Sequence, residues 1–386
     1  MKIKFKIFFF FSLLNFPLFS GCENTATNVD KKKISPNLLE HPLYSNYHFS
    51  NDRRVLDFGS QPLWIPPCTI FAVMQKDPIL KSELEKLGFI LKVHPFFKGK
   101  DVNFFLASGD LEAGIGGDMP AMVAAAKTDV VIISILQMGQ VAMVSRDIRE
   151  IAALQERKVA VAAGSNAHYY LLKTLKKNGL KISGLKLVFM EVDQLPAALN
   201  RKDIDAFAAW EPTPALAIKN FPHLKIFHRG LSYGFIYVQR KFFQENPLVV
   251  AHLLASQIRA LSWLREKEEH IDLAADWLLK TANKMSRTDM KLTSIDVHRL
   301  ADRDLPGLHT ITYPRIPPAL LAKNGFLEGE FNFLRKYGFI PGQKNWEKIK
   351  DNFNLNFINE VIAAPEKYRL FEEMILYNSE SVETGR

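Results

Sequence analysis

The sequence predicts an α/β protein in which parallel strands alternate with helices. Two strand-loop-helix units follow one another between residues 158 and 210: an apolar run at 159–163 leads through a polar loop into an amphipathic helix, and a second apolar run lies at 204–209. The run at 130–136 is rich in valine and isoleucine, which is typical of a strand buried on both faces. A chain of 386 residues, 47% of them hydrophobic, exceeds what one ordinary core holds, so we expect two α/β lobes.

The N-terminus predicts a lipoprotein signal peptide over residues 1–21. Three lysines among the first six residues precede an apolar stretch at 7–19 that is too short to span a bilayer. The stretch ends in LFSGC, which resembles the bacterial lipobox with Phe19 in place of its usual aliphatic residue. We expect cleavage before Cys22 and acylation of that cysteine. The alternative is an ordinary secretory signal with an incidental cysteine.

Charge and cysteine content narrow the possible functions. Loss of residues 1–21 removes three lysines and no acid, so the formal charge falls from +9 to 9 − 3 = +6. Lysine and arginine are scattered rather than gathered in a stripe, which disfavours nucleic-acid binding. The sequence contains two cysteines. Acylation of Cys22 would leave Cys68 without a partner cysteine, so no intramolecular disulfide is expected. Cys68 precedes an apolar helix and is interpreted as a small buried hydrophobic residue.

The first lobe is predicted to follow a tether. Residues 22–52 are polar and are expected to form a flexible tether between the membrane and the folded part. Lobe 1 would then comprise residues 53–140 and 239–386. Strands are predicted at 90–96, 111–115 and 130–136, helices at 80–87, 102–108 and 121–127, and further helices from residue 247 onward.

The second lobe is predicted over residues 141–238, with a hinge strand at each end. These strands lie at 141–144 and 234–238, and residues 137–140 are interpreted as a loop before the first of them. Two antiparallel strands that cross between lobes form a hinge, so we expect closure about them.

Polar and aromatic residues follow several of the predicted strands. The C-terminal ends of parallel strands meet at one edge of a sheet, which is where ligands bind in open α/β folds. The candidate ligand-binding residues at this edge are Gln61, Trp64, Asp118, Met119, Gln137, Ser165, Asn166, His168, Trp210, Glu211 and Tyr233.

Each candidate also has a structural interpretation that the sequence leaves open. Ser165 is also compatible with a role as a helix cap alone, Glu211 with a cap for the following helix, and Asp118 with a partner for its own turn. The two tryptophans and His168 are also compatible with core positions.

The ordered set of motifs resembles one known family. GDLEAG lies at residues 109–114, GDMPA at 117–121, KVAV at 158–161 with GS at 164–165, ALNRKDIDA at 198–206 and WEP at 210–212. This order is similar to that of the solute-binding proteins of ABC importers for nitrate, sulfonate and taurine, which include relatives that bind pyrimidine precursors of thiamine. LQERK at 154–158 departs from the family by lacking a glycine in that turn.

The resemblance implies a type II periplasmic-binding-protein fold, two α/β lobes joined by two crossing strands. It also implies a monomeric, extracytoplasmic receptor that delivers a small solute to an ABC permease and ATPase, without cofactor or metal.

The charge of the candidate loops bears on the solute. A nitrate or sulfonate pocket needs several hydrogen-bond donors and preferably a cation, because removing an anion from water without such partners costs much free energy. The candidate loops contain no arginine or lysine, so the sequence favours a neutral or cationic solute such as a thiamine-type pyrimidine, with a sulfonate-like or nitrate-like anion as the alternative.

Two other classes of function compete with a receptor. Fold relatives of the family include a pyrimidine-synthesising enzyme with a histidine and an iron site framed by clustered cysteines, and this sequence lacks that cluster. It also has no Gly-x-Ser-x-Gly motif or phosphate-binding P-loop, so no catalytic residues are predicted. A ligand-sensing domain for a membrane kinase would have the same sequence features as an importer receptor.

Overall fold

The computed structural model describes residues 38–50, 52, 54–286, 291–304, 313–374 and 376. The predicted signal peptide, Cys22 and most of the predicted tether lie outside these residues. The chain divides into two compact units, residues 1–45 and 46–386. The described part of the first unit contains a 3-10 turn at Leu38–Glu40.

The second unit contains one eight-stranded sheet of mixed direction. The strands are β1 (Val55–Ser60), β2 (Ile90–Pro95), β3 (Ala113–Gly117), β4 (Val130–Ser145), β5 (Lys158–Val161), β6 (Lys186–Phe189), β7 (Ala206–Trp210) and β8 (Lys225–Gln239). Their order across the sheet is β2-β1-β3-β8-β4-β7-β5-β6. The α/β fold predicted from the sequence is confirmed.

The long strands β4 and β8 run through both lobes and join them. They pair antiparallel along their length, from Val130 opposite Gln239 to Ser145 opposite Lys225. At one end β8 pairs with β3 of lobe 1, and at the other end β4 pairs with β7 of lobe 2. β1, β2 and β3 are mutually parallel, as are β5, β6 and β7, because each is followed by a helix that returns the chain across the sheet.

The crossing strands are longer than the sequence predicted. Residues 137–140 are not a loop but the middle of β4, and the second crossing strand begins at Lys225 rather than at 234. Three irregularities in the β4–β8 register accompany this crossing. The prediction failed because the middle of the crossing pair bridges two lobes, so its residues lack the apolar pattern of a strand packed in one core.

Helices cover the sheet. They are α1 (Pro67–Met74), α2 (Pro78–Lys86), α3 (Gly99–Ser108), α4 (Asp118–Lys127), α5 (Asn166–Lys177), α6 (Leu195–Asn200), α7 (Thr213–Asn220), α8 (Arg240–Glu245), α9 (Pro247–Glu266), α10 (Glu268–Ser286), α11 (Ser294–Asp304), α12 (Phe326–Lys336), α13 (Trp346–Lys350) and α14 (Phe357–Ile362). Asn178 and Gly179, which has a positive φ of 72°, end α5 as predicted.

Three apolar clusters form the cores. The largest packs α1, α2, α9 and α10 against lobe 1, and two smaller clusters lie on either side of the lobe 2 sheet, one under α5 and one under α6 and α7. Of the described helices, α9 is long and apolar enough to cross a membrane by length and composition, but 83% of its most apolar stretch is buried within the protein. It therefore serves as the central helix of the lobe 1 core.

The folded unit begins earlier than residue 53. Tyr47 donates a hydrogen bond to the carbonyl of Pro95, and the Phe49 ring lies 4.6 Å from His94 and 5.1 Å from Phe105. Residues 47–49 thus pack on lobe 1 instead of continuing the flexible tether predicted to residue 52. Their aromatic rings bury apolar area against lobe 1.

Candidate functional site

The strand ends of the two lobes face each other across the middle of the crossing pair. Gly117, at the end of β3, lies opposite Gly234, which pairs with Gln137. Trp210, at the end of β7, lies opposite Val141, which pairs with Gly230. We call the region between these strand ends the interlobe gap, with residues 138–140 and 231–233 as its floor and the loops after the parallel strands as its walls.

Gln61 and Trp64 come from the loop after β1. The side-chain amide of Gln61 is buried and donates to the carbonyl of Ile115 at 2.6 Å. The half-buried Trp64 ring lies on Gly234, where an added Cβ would approach Cη2 of the indole to 2.4 Å. Trp64 thus lines the gap next to the floor, whereas Gln61 braces the wall.

Asp118 opens α4 and is completely buried. Its Oδ2 accepts a hydrogen bond from the backbone N–H of Tyr233 at 2.9 Å, and its Oδ1 accepts one from Met119 at 2.9 Å. The carboxyl therefore ties the lobe 1 wall to the floor. Burial raises the pKa of Asp118 to about 6.

The N-terminus of α5 forms part of the lobe 2 wall. The Ser165 hydroxyl accepts from the N–H of His168 at 3.2 Å and donates to the carbonyl of Ala162 at 2.7 Å, so it caps the helix. Asn166 accepts from the N–H of Ala167. His168 is buried, its Nδ1 accepts from the N–H of Gly164 at 3.2 Å, and burial lowers its pKa to about 4. Three of the polar atoms at this helix start, Oγ of Ser165, Oδ1 of Asn166 and Nδ1 of His168, thus bond within the loop and the first turn.

Glu211 is the centre of a charged cluster after β7. Its side chain is 3% exposed and accepts from Arg303 at 2.6 Å, from Arg229 at 3.3 Å and from the N–H of Ala215 at 3.1 Å. Arg229 also donates to Gln140 on the floor at 3.3 Å. The candidate loops themselves contain no arginine or lysine, but the fold brings Arg229 of β8 and Arg303 of α11 to the carboxylate of Glu211.

Helix α12 crosses from one wall of the gap to the other. Its Glu330 carboxyl is fully buried beside the carboxyl of Asp118, and its Phe326 ring lies 4.8 Å from Tyr233 on the floor. On the lobe 2 side, the Phe333 ring lies 5.1 Å from His168 and 5.5 Å from Tyr169. The sequence predicted this helix to pack on lobe 1, and its contact with α5 was missed.

Two further ion pairs link the walls. Lys98, after β2, pairs with Glu191, after β6, and Lys219 of α7 pairs with Asp296 of α11. Together with Arg303 and α12, these contacts link the two lobes.

The remaining candidates are placed as follows. Tyr233 and Met119 are buried at the floor and at the first turn of α4, and the half-buried Trp210 packs on the lobe 2 core. Gln137 lies in β4, and its side chain lies outside the described atoms. In the described part of the chain no three of His, Cys, Asp and Glu cluster as metal ligands. Cys68 is buried, donates to the carbonyl of Gln61 at 2.8 Å, and has its pKa raised by burial.

Two parallel α/β layers joined by two antiparallel crossing strands, with their strand ends facing over the crossing, define the class of periplasmic-binding-protein folds. Residues 81–279 match the NMT1-like family, and the chain belongs to that family. The family resemblance predicted from the sequence is confirmed.

Curated relatives agree with this assignment. A putative aliphatic sulfonates-binding protein of Escherichia coli K12 is 26% identical over 178 residues, which are 43% of this chain and 56% of that protein. The taurine-binding periplasmic protein of the same strain is 27% identical over 266 residues, which are 65% of this chain and 78% of that protein. The chain thus spans little more than half the length of the first relative.

Solved structures show the same fold. The periplasmic aliphatic sulphonate binding protein SsuA of Escherichia coli superposes with a TM-score of 0.59 at 18% identity over 76% of this chain and 91% of that one. The desulfurization enzyme DSZB superposes with a TM-score of 0.56 at 16% identity over 80% of this chain and 99% of that one. The fold therefore carries both binding proteins and an enzyme.

Proposed function

We propose that the protein is an extracytoplasmic solute-binding receptor of an ABC importer. The observation that carries this proposal is that the strand ends of both lobes meet over two crossing strands, with Trp64 and the charged cluster of Glu211 beside the crossing. Solute that touches both walls stabilises the closed state by its differential affinity, and a permease with its ATPase recognises that state. The names of the curated relatives, which are binding proteins, support the same class. We expect a monomer without cofactor.

We further propose that the solute carries a sulfonate-like anionic group. Arg229 and Arg303 place two guanidinium groups at the carboxylate of Glu211, and guanidinium groups are well suited to bind an oxoanion that leaves water. The neutral or cationic pyrimidine favoured by the sequence remains the second candidate, because Trp64 offers a flat apolar wall beside the floor.

Binding measurements separate these solutes. We expect calorimetric titration at neutral pH to show binding of an alkanesulfonate such as ethanesulfonate, and weaker binding of hydroxymethylpyrimidine. Arg229→Gln should lower sulfonate affinity by about tenfold or more, which corresponds to the loss of one charged hydrogen bond. The matched control is Arg240→Gln at the far end of β8, where the arginine pairs with Asp129. Pyrimidine binding without sulfonate binding, or equal effects of the two variants, would remove the anion proposal.

We also propose that Cys22 carries the lipid that anchors the receptor to the membrane. The lipobox-like LFSGC sequence supports this proposal. Cys22→Ser should release the protein from the membrane fraction and abolish labelling with a palmitate analogue, whereas Cys68→Ser should leave both unchanged.

An enzyme and a sensor domain remain as competing proposals. The superposition on DSZB makes turnover worth testing, and we expect ethanesulfonate to be recovered unchanged by NMR after prolonged incubation with the protein. Genes for a permease and an ATPase beside this one would favour the importer over a membrane kinase.

A further inference from the structure

Helix α12 lies outside the family match yet occupies the candidate site. The match covers residues 81–279, and α12 spans Phe326–Lys336. The helix contacts the floor through Phe326, the lobe 1 wall through Glu330 and the lobe 2 wall through Phe333. Phe339, which follows α12, packs on Gly164, where an added Cβ would lie 2.5 Å from its ring. The segment thus touches three of the surfaces expected to meet solute.

The centre of this contact is a pair of buried acids. Glu330 and Asp118 are both completely buried, and no donor among the described residues bonds to either Glu330 oxygen. Two ionised carboxylates are acceptors only, so the two groups can bond to each other only if one carries a proton. While the helix is docked, the state in which one of the two carboxyl groups carries a proton is therefore favoured.

Other charged or titratable groups surround the pair. Lys173 of α5 partly offsets the charge of Glu330, and its ammonium lies 4.9 Å from the Phe326 ring. Tyr169 and Tyr233 face the acids from α5 and β8, and burial, followed by the charge of the two acids, raises the pKa of both phenols. His168 lies under Phe333 and has no carboxylate partner among the described residues. One lysine therefore faces two carboxyl groups, and it does not neutralise both.

We propose that α12 is a built-in occupant of the interlobe gap, which docks on Asp118 and Tyr233 when solute is absent, competes with solute for these residues, and is released by deprotonation of the Asp118–Glu330 pair. The place of the helix is independent of the proposed receptor function, but its competition with solute rests on that function.

The direction of the pH dependence follows from the two acids. Burial raises the pKa of both carboxyl groups in the docked state, that of Asp118 to about 6, and the nearby Asp118 raises that of Glu330 further. Groups with a raised docked pKa stabilise docking fully below their ordinary pKa, near 4, and this contribution is lost as the pH rises through the docked pKa. Acid thus favours the docked helix, and neutral to alkaline pH favours its release.

Hydrogen exchange measured by mass spectrometry on the full chain tests the docking. With rates corrected for intrinsic exchange, we expect protection of residues 326–336 to fall by about tenfold or more between pH 5.5 and pH 8. Glu330→Gln, which keeps the shape and removes the charge, should keep its protection at pH 8. Glu328→Gln, the same change at a partly exposed acid of the same helix, should behave like the wild type. Equal wild-type protection at both pH values, or an unchanged fall in Glu330→Gln, would overturn the proposal.

Titration with ethanesulfonate at pH 8 tests the competition. Phe326→Ala removes the ring that packs on Tyr233, so we expect its affinity for ethanesulfonate to be at least threefold higher than that of the wild type. Glu330→Gln should bind ethanesulfonate more weakly than the wild type, because its helix stays docked at pH 8. Added ethanesulfonate should also lower the wild-type protection of residues 326–336. Unaltered affinity in both variants would overturn the competition. If no variant binds ethanesulfonate, the anion-receptor proposal fails, while the exchange measurements still decide whether α12 is a proton-dependent occupant.

Discussion

Arg303 donates a hydrogen bond to Oε1 of Glu211 at 2.6 Å, and this bond joins α11 to the loop after β7. Because Glu211 is buried and also accepts from Arg229, replacing it with glutamine leaves two partly buried guanidinium groups facing each other. We expect Glu211→Gln to lower the free energy of unfolding by about 2 kcal/mol, since a charged hydrogen bond contributes about 1.5–3 kcal/mol. Urea denaturation measures the change.

The matched control for this prediction is Glu191→Gln. Its partner Lys98 also lies on the opposite wall, but both side chains are substantially exposed. An exposed pair contributes about 0–1 kcal/mol, so this variant should be nearly as stable as the wild type. Equal destabilisation by the two variants would show that burial of Glu211 is not what makes the first pair strong.

Gly234 is predicted to be essential for the position of Trp64. A Cβ at this residue would come within 2.4 Å of the indole, so Gly234→Ala forces the ring away from the floor. We expect a loss of about 1–3 kcal/mol in unfolding free energy, typical of overpacking, together with a shift in tryptophan fluorescence and weaker solute binding.

Gly342→Ala is the control for the glycine substitution, because an added Cβ there meets nothing within 4 Å and no positive φ opposes it. It should leave fluorescence and binding unchanged. A Gly234→Ala protein with wild-type fluorescence would show that Trp64 does not rest on the floor in solution.

The alternation of strands and helices made most of the fold predictable, whereas the site depends on contacts between distant segments. Glu211 was identified from its place after an apolar run, but its partners Arg229 and Arg303 lie 18 and 92 residues away in sequence. No local pattern indicates such convergence. The one local indication that α12 contacts the site was Glu330. This residue lies three residues after Leu327 and four before Leu334 on the buried stripe of the helix. An acid within an apolar stripe indicates a specific polar partner, but not which one.

His168 is expected to make the protein less stable in mild acid. Burial lowers its pKa to about 4, below the ordinary value of 6.5. A lowered folded pKa stabilises the fold above the ordinary pKa, and this contribution is lost as the pH falls from about 6.5 through about 4. His168→Gln keeps an acceptor for the N–H of Gly164. Between pH 7 and pH 5, we expect its free energy of unfolding to fall by roughly 2 kcal/mol less than that of the wild type.

Thermal melts of both proteins at several pH values measure this difference. His223→Gln, at an exposed imidazole, should follow the wild-type profile. Parallel profiles for His168→Gln and the wild type would mean that His168 titrates as if it were exposed.

The buried ion pair of Asp77 and Arg259 yields a prediction that separates stability from binding. Both side chains are buried, Nη2 of Arg259 lies 2.7 Å from Oδ2 of Asp77, and Nη1 donates to the carbonyl of Tyr368 at 2.8 Å. Asp77 also caps α2 by accepting from the N–H groups of Ile79 and Leu80. Arg259→Met would leave this carboxylate buried without its cation, so we expect a loss of about 3–5 kcal/mol in unfolding free energy.

A second substitution shows whether the loss comes from the unpaired charge. Asp77→Ser keeps an oxygen that can cap α2 but removes the negative charge, so the double variant Asp77→Ser with Arg259→Met should recover part of the stability lost in Arg259→Met. Denaturant titration of the three variants measures the coupling between the two residues. A double variant no more stable than Arg259→Met would assign the loss to packing and to the bond with Tyr368. Because the pair lies within the lobe 1 core and not at the interlobe gap, the affinity of the folded variants for solute should not change.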